Sequence, residues 1–428
     1  MYFGTATNQE QWNDTKYVDI MLEQFGSLTP ANVQKWMFTE PEEGVFNYTA
    51  GDAFADFAAE HNQILLCDTL IWHQQYPSWL DQKNWTKDAL LDVIDKHVYS
   101  EVSHFKDRCF SWNVVNEAFN EDGTFRESLF YNVTGTDYIA TAFKAAARAD
   151  PKAQLYYNDY NIEFPNNKSA AVENLVKSLQ AQDAKIDAVG LQAHFIVNKT
   201  ASEAQQQQQM QAYIDLGVQV VISELDVRFE SLPPSEALLA QQTVDYEASI
   251  QACINVGKQC MGISVWDFVD TYSWVPTTFA GNGDACLWYS NYTTIPAFDG
   301  VVSVLKAAGV ESTCASSAAP TTLTTEKYAN STATEESTYT EWVTTCPEAT
   351  TIVVVTCTKA VCQPATVTFT GPTTATFTGP KPTATVAAES LAPATSAAPS
   401  VVPQGGASGN VVMSGLAGFA AVVIGLFL

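Results

Sequence analysis

Eight short, nearly continuous apolar runs recur between residue 1 and about residue 312. They are Tyr2–Thr7, Ser27–Val33, Ile64–Ile71, Cys109–Glu117, Ala153–Asn161, Ala188–Phe195, Gln219–Val227 and Cys260–Phe268. Unbroken apolar character, rather than alternation, marks parallel strands covered on both faces. Between the runs, apolar residues return every three or four positions, which predicts helices. Thr86–Phe105 does so over the longest span, at Leu90, Leu91, Ile94, Val98 and Val102. Asp52–Glu60, Tyr138–Ala149, Ala170–Leu179, Ala237–Ile254 and Gly300–Ala308 follow the same rule. Thr200-x-x-Glu203 has the spacing of a capping box and predicts the start of a helix carrying the run Gln205–Gln209 on its solvated face. Eight strand–helix units in about 310 residues predict an α/β fold of the (β/α)8 TIM-barrel type. No Gly-x-Gly-x-x-Gly follows an early strand, which weighs against a dinucleotide-binding sheet.

The pattern fails from Ser312 onward, where Thr, Ser, Ala and Pro dominate. Such a segment cannot bury a core, so residues 313–404 are expected to form a largely disordered, O-glycosylated tail. Within it, 337–362 holds Cys346, Cys357 and Cys362 beside the strand-like Thr351–Thr356, a candidate small disulfide-bearing module. Thr368-Phe-Thr-Gly-Pro372 recurs as Thr376-Phe-Thr-Gly-Pro380. The end is apolar from Leu416 to Leu428, after the small residues Gly405-Gly-Ala-Ser-Gly409. Residues 405–428 therefore read as a glycosylphosphatidylinositol (GPI) attachment signal, the alternative being a single-pass anchor.

The formal charge is −26 and the pI about 4.4. Phosphate backbones need clustered Lys and Arg, so nucleic acid is not an expected partner, and the acidity reads as solubility. Eight Asn-x-Ser/Thr sequons, at Asn13, Asn47, Asn84, Asn132, Asn167, Asn198, Asn291 and Asn330, favour a secretory route and an extracellular location. Yet Met1 is followed at once by an apparent strand, so the leader is expected to be missing from a truncated sequence. Of nine cysteines, Cys253 and Cys260 flank a short turn and are expected to form a disulfide. Cys286 is paired with Cys314 as a weaker expectation, and Cys67 is expected to be unpaired. No Cys or His spacing suits a metal, and no cofactor is expected.

In a barrel, residues at the carboxyl ends of strands line one pocket. Here those positions supply Asn32 with Lys35; Asp68 with Trp72 and Gln75; Asn116 and Glu117; Asn158, Asp159 and Tyr160; Gln192 and His194; Glu224 and Asp226; and Trp266 with Trp274. Rings, amides and carboxylates together suit a sugar, whose C–H faces stack and whose hydroxyls need paired partners. Two carboxyls across one sugar are the equipment for cleaving a glycosidic bond, with one acting as acid and the other ionised. Glu117 is the expected acid/base and Glu224 the nucleophile. His194 is expected to orient Glu224, with Asp226 fixing the histidine in turn.

The chain resembles the retaining xylanases of glycoside hydrolase family 10. The resemblance rests on Tyr2-Phe-Gly-Thr-Ala-Thr7, Asn32-Val-Gln-Lys35-Trp36, Thr39-Glu-Pro41 and Trp72-His-Gln-Gln75. It continues through Trp112-Asn-Val-Val-Asn116-Glu117, Tyr157-Asn-Asp159-Tyr-Asn161, Gln192-Ala-His194 and Ser223-Glu224-Leu-Asp226, with Cys253, Cys260 and Trp266. It covers residues 2 to 308 and implies retention of configuration, with Glu117 and Glu224 in the roles above. It also implies binding or orienting roles for Asn32, Lys35, Trp72, Gln75, Asn116, Gln192, His194, Trp266 and Trp274. Four positions depart from the family pattern. Asp68 replaces a histidine, Ala31 a glutamate and Asn113 an aspartate, and Val269-Asp270 replaces Arg-Asp. The first two positions contact sugar hydroxyls on the glycone side in the family.

The expected function is a monomeric, surface-tethered endo-β-1,4-xylanase acting on a β-linked polysaccharide, with carboxyls about 5–5.5 Å apart. Two alternatives stay open: a relative retuned to another β-glycoside, such as a saponin or glycoalkaloid sugar chain, and a non-catalytic wall-anchored carbohydrate-binding protein.

Overall fold

The computed structural model describes residues 1–309 and four strands between 341 and 378. In the first region eight parallel strands close on themselves. They are β1 (Tyr2–Thr7), β2 (Ser27–Pro30), β3 (Ile64–Cys67), β4 (Cys109–Asn116), β5 (Gln154–Asp159), β6 (Ala188–Leu191), β7 (Gln219–Arg228) and β8 (Cys260–Val265). Each pairs with the next, and β8 pairs with both β7 and β1, so no barrel edge is left open. The principal helices are α1 (Thr15–Gln24), α2 (Thr49–Glu60), α3 (Lys87–His104), α4 (Asp137–Ala149), α5 (Asn167–Ala181), α6 (Glu203–Ile214), α7 (Glu236–Asn255) and α8 (Pro296–Ala307). The predicted (β/α)8 barrel is therefore present.

The apolar runs form strands because each strand faces helices outside and side chains inside. The outer layer is one continuous core containing Val114, Leu155, Val189, Val220 and Ile263 against Ile94, Phe143, Val176 and Tyr246. Inside the barrel, Tyr156, Ala188, Val221 and Met261 pack with Tyr2 as a separate plug. Burying each large side chain is worth roughly 1.5–3 kcal/mol, which favours closure over any open arrangement of the same strands.

Four expectations need correction. The run Gln205–Gln209 is not wholly solvated: Gln206 and Gln209 are buried, their amides donating to the Ala201 carbonyl (2.7 Å) and to Glu173 Oε1 (3.1 Å). Cys67 is not unpaired: it is disulfide-bonded to Cys109, 42 residues away, because β3 and β4 are neighbours and bring the two Cα atoms to 5.7 Å. The expected Cys253–Cys260 disulfide is present. The helix α6 is capped by Ser202 with Gln205, not by Thr200 with Glu203. Thr200 instead donates its hydroxyl to the Ile196 carbonyl in the preceding turn. Finally, the runs Ile64–Ile71 and Ala188–Phe195 are each interrupted. β3 stops at Cys67, before a cis Asp68–Thr69 bond, and pairing resumes at Ile71–Trp72. β6 stops at Leu191, Ala193 is left-handed (φ 60°), and His194–Ile196 pairs separately with β7. Apolar content cannot signal such breaks, since polar residues occupy only one or two positions.

In the second region, Thr350–Thr358 pairs antiparallel with Val361–Phe369, placing Cys357 opposite Cys362, and Glu341–Cys346 pairs antiparallel with Thr373–Thr378. The expected strand Thr351–Thr356 falls within the first pair. The proposed boundary at 312, the Cys286–Cys314 pairing, the remainder of the 313–404 tail and the 405–428 signal lie outside the described residues.

Candidate active site

The carboxyl end of β4 turns abruptly. Glu117 has φ 57°, a left-handed backbone that a side chain with Cβ adopts only when its surroundings enforce it. Two bonds do so: its N–H donates to the Asn158 carbonyl (2.9 Å) and its carbonyl accepts from Arg126 Nε (3.0 Å). The side chain is thereby turned into the barrel mouth. Its Oε1 accepts from Asn116 Nδ2 (3.2 Å) and Gln192 Nε2 (3.1 Å).

Glu224, near the middle of β7, is brought to the same network. Its Oε1 accepts from Asn158 Nδ2 (2.6 Å), and the same amide reaches Asn116 Oδ1 (3.0 Å). Asn158 is fully buried and oriented by Ser223 Oγ, which donates to its Oδ1 (2.6 Å). Gly190 makes this possible: a Cβ there would stand 2.3 Å from Asn158 Oδ1. Two amide side chains, Asn116 and Asn158, thus link carboxylates that lie more than 100 residues apart in sequence.

The other oxygen of Glu224 faces a histidine. His194 Nε2 lies 3.1 Å from Glu224 Oε2, and Nδ1 lies 2.9 Å from Asp226 Oδ2. Both ring nitrogens face carboxylates, so both donate and the ring is an imidazolium. Burial alone would lower its pKa, but Asp226 and then Glu224 outweigh that and raise it to about 10. Trp274 Nε1 also donates to Asp226 Oδ2 (2.7 Å), and its ring meets His194 edge-on at 4.8 Å. The expected chain Asp226–His194–Glu224 is present, with Trp274 as its outer support.

To one side of the pair, Lys35 Nζ donates to Gln75 Oε1 (2.8 Å) and lies 3.4 Å from Asn32 Oδ1. It stands 4.9 Å from the centre of the Trp72 ring. Burial lowers the pKa of Lys35, while Asp68, Glu224 and Glu117 oppose the shift. Asp68 is only 4% exposed, and its Oδ2 accepts from Asn113 Nδ2 (2.9 Å). Burial, then the charge of Glu224, push its carboxyl up to about 7, against Lys35. The two departures Asp68 and Asn113 are therefore direct hydrogen-bond partners. Ala31, at the third, is buried and has no polar group to offer.

On the other side, Arg126 clamps the loop after β4, donating to the carbonyls of Glu117 and Phe119 and to the Tyr160 hydroxyl (2.9 Å). Lys168 covers the Tyr160 ring at 3.5 Å and pairs with Asp159 Oδ1 (2.9 Å). Tyr160 thus joins the carboxylates through Arg126 rather than directly. Trp266 is half-buried at the end of β8, tied to β7 through its N–H to the Leu225 carbonyl (3.1 Å). Sequence reasoning placed Asn158 at the mouth without a role and marked Asn113 only as a departure, and it missed Arg126 and Gln34; Gln34 Oε1 accepts the Asp68 N–H (3.3 Å). Asn158 and Asn113 carried a signal, as amides inside apolar strands; Arg126 lies in an irregular loop and carried none.

Two acidic groups and their amide, imidazolium and ammonium partners therefore converge at one mouth of the barrel. Such an arrangement suits acid-assisted displacement at a sugar's anomeric carbon. Comparisons with known proteins agree with the geometry. Residues 1–304 match the family model of glycosyl hydrolase family 10, and residues 339–381 match that of the PGA domain. Endo-1,4-β-xylanase D of Talaromyces funiculosus is 47% identical over 307 residues, 72% of this chain and 75% of the relative. Endo-1,4-β-xylanase C of Phanerodontia chrysosporium is 45% identical over 305 residues, 71% and 76% of the two chains. Among solved structures, an endo-1,4-β-xylanase of Penicillium canescens superposes with TM-score 0.70 at 42% identity, over 71% of this chain and 94% of that one. A glycosylated family 10 endo-β-1,4-xylanase of Gloeophyllum trabeum does so with TM-score 0.67 at 36% identity, over 71% and 96%.

Proposed function

This chain belongs to glycosyl hydrolase family 10, and from that premise we propose that it is an endo-1,4-β-xylanase cleaving internal xylosidic bonds with retention of configuration. Glu117 donates a proton to the departing glycosidic oxygen as Glu224 attacks the anomeric carbon. A glycosyl ester forms on Glu224 and the leaving alcohol departs. Glu117, now ionised, takes a proton from water, which displaces Glu224 and regenerates both groups.

The observation that carries this reading is the linked pair itself. Glu224 is held at both oxygens, by Asn158 and by the His194 imidazolium, so the carboxylate is fixed as a nucleophile should be. Glu117 is supported at one oxygen by Asn116 and Gln192, and its Oε2 lies 3.9 Å from His73 Nδ1. Asn32, Lys35, Gln75, Trp72, Asp68, Tyr160, Trp266 and Trp274 are the proposed sugar contacts around them.

The sequons, acidity and terminal apolar run support an extracellular, N-glycosylated, monomeric enzyme tethered to the surface through a GPI anchor. A second reading, hydrolysis of another β-glycoside, is favoured by Asp68 and Ala31, since a buried carboxyl for a donor-rich histidine changes which hydroxyls are recognised. Product analysis separates them. Xylohexaose and soluble xylan should yield short β-xylo-oligomers, the first-formed anomer being β by NMR. Cleavage of a saponin or glycoalkaloid with xylo-oligomers untouched would overturn the first reading.

A further inference from the structure

The sequons are not scattered over the barrel. All seven among the described residues are exposed, and all seven lie between the carboxyl end of a barrel strand and the start or first turn of the helix that follows. Asn13 closes the short helix between β1 and α1, Asn47 precedes α2 and Asn84 precedes α3. Asn132 lies in the helix Leu129–Thr134 between β4 and α4, and Asn167 is the first residue of α5. Asn198 lies between His194–Ile196 and α6, and Asn291 between β8 and α8. Seven of the eight strand-to-helix segments thus hold one sequon each; only the segment between β7 and α7 holds none. No helix-to-strand turn on the opposite face has one.

The local geometry suits attachment. At Asn47 and Asn291 the side-chain oxygen accepts from the backbone N–H two residues on (3.2 and 2.9 Å), leaving the amide nitrogen free to carry a sugar. Asn13 Nδ2 makes one bond, to the Glu10 carbonyl (3.2 Å). At two sequons the third residue is buried, Thr134 donating its hydroxyl to the Phe130 carbonyl and Ser169 to the Asn166 carbonyl. Attachment there must precede folding, as it does for a chain modified during entry into the secretory route.

We propose that N-linked glycans form a collar around the mouth that holds Glu117 and Glu224, screening this face from other macromolecules while admitting single sugar chains. The collar rests on the secretory route proposed above. A glycan is bulky and fully hydrated, so it crowds any large body approaching its loop without contributing to the core. The strand-to-helix loops are the long irregular segments of this barrel, where proteolytic nicking is easiest, and they carry the site. A collar there protects the loops on which function depends.

The test uses the secreted full chain. Mass spectrometry after enzymatic release of N-glycans maps occupancy at each Asn. Native protein, enzymatically deglycosylated protein and the N47Q/N84Q/N198Q variant are then digested with a broad-specificity protease, with xylohexaose turnover followed in parallel. Occupancy at most of the seven sites is expected. Removal should speed nicking within the strand-to-helix segments about five-fold or more, with turnover of xylohexaose unchanged before nicking. Largely empty sequons would overturn the collar and remove the support for secretion. Occupied sequons with unchanged nicking would overturn the screening role alone. Failure to cleave xylohexaose in every form would instead overturn the xylanase reading, leaving the collar to be judged by nicking.

Discussion

Replacing Asp68 by Asn isolates what a buried carboxyl costs beside the acidic pair. Asp68 is almost fully buried, and its pKa rises from the usual 3.8 to about 7, through burial first and the Glu224 charge second. At 1.36 kcal/mol per pKa unit the rise corresponds to about 4 kcal/mol. The folded state binds this proton more tightly than the unfolded chain does. Stability from the protonated carboxyl is therefore complete below pH 3.8 and is lost as pH climbs to about 7. Asn keeps an acceptor for Asn113 Nδ2, now 2.9 Å from Asp68 Oδ2, and cannot ionise. The wild-type and D68N proteins should unfold at similar temperatures near pH 4. D68N should gain steadily up to pH 7, by at most about 8 °C at about 2 °C per kcal/mol for a domain of this size. Differential scanning calorimetry at four pH values measures the gap. A gap that stays constant with pH, or closes as pH rises, would refute the reasoning.

Three further outcomes follow from the geometry. Arg126→Ala releases the Glu117 carbonyl and should lower kcat by about 10- to 100-fold with little change in KM, Lys restoring part of the loss in steady-state kinetics on xylohexaose. Gly190→Ala drives a Cβ to 2.3 Å from Asn158 Oδ1, so it should cost roughly 1–3 kcal/mol in denaturant unfolding and reduce turnover by displacing the Asn158 bond to Glu224. Opening Cys67–Cys109, which spans 42 residues, should destabilise by about 4 kcal/mol, against about 2 kcal/mol for Cys253–Cys260, which spans 7; chemical denaturation of the two double-serine variants reads the difference.

The barrel was legible because its strands are covered on both sides, so each reads as an apolar run, and the intervening helices keep a three-to-four period. The strand ends were less legible because function breaks the pattern there. Asp68 and Gln192 each interrupt an apolar run at the point where the chain leaves the sheet to line the mouth. Glu117 and Glu224 stood out as carboxylates closing apolar runs, although only Glu117 sits at a strand end, β7 continuing past Glu224 to Arg228. Their support did not: the links through Asn158 depend on which strands become neighbours, and Arg126 depends on a loop that folds back nine residues after Glu117. The same reason hid Cys67–Cys109, whose partners meet only once β3 and β4 pair.

Trapping the covalent intermediate tests the division of labour between Glu117 and Glu224 most directly. A 2-deoxy-2-fluoro xylobioside with an activated leaving group should inactivate the enzyme one-to-one, and peptide mapping by mass spectrometry should place the sugar on Glu224. An adduct on any other carboxyl, or turnover with inversion and no adduct, would contradict it.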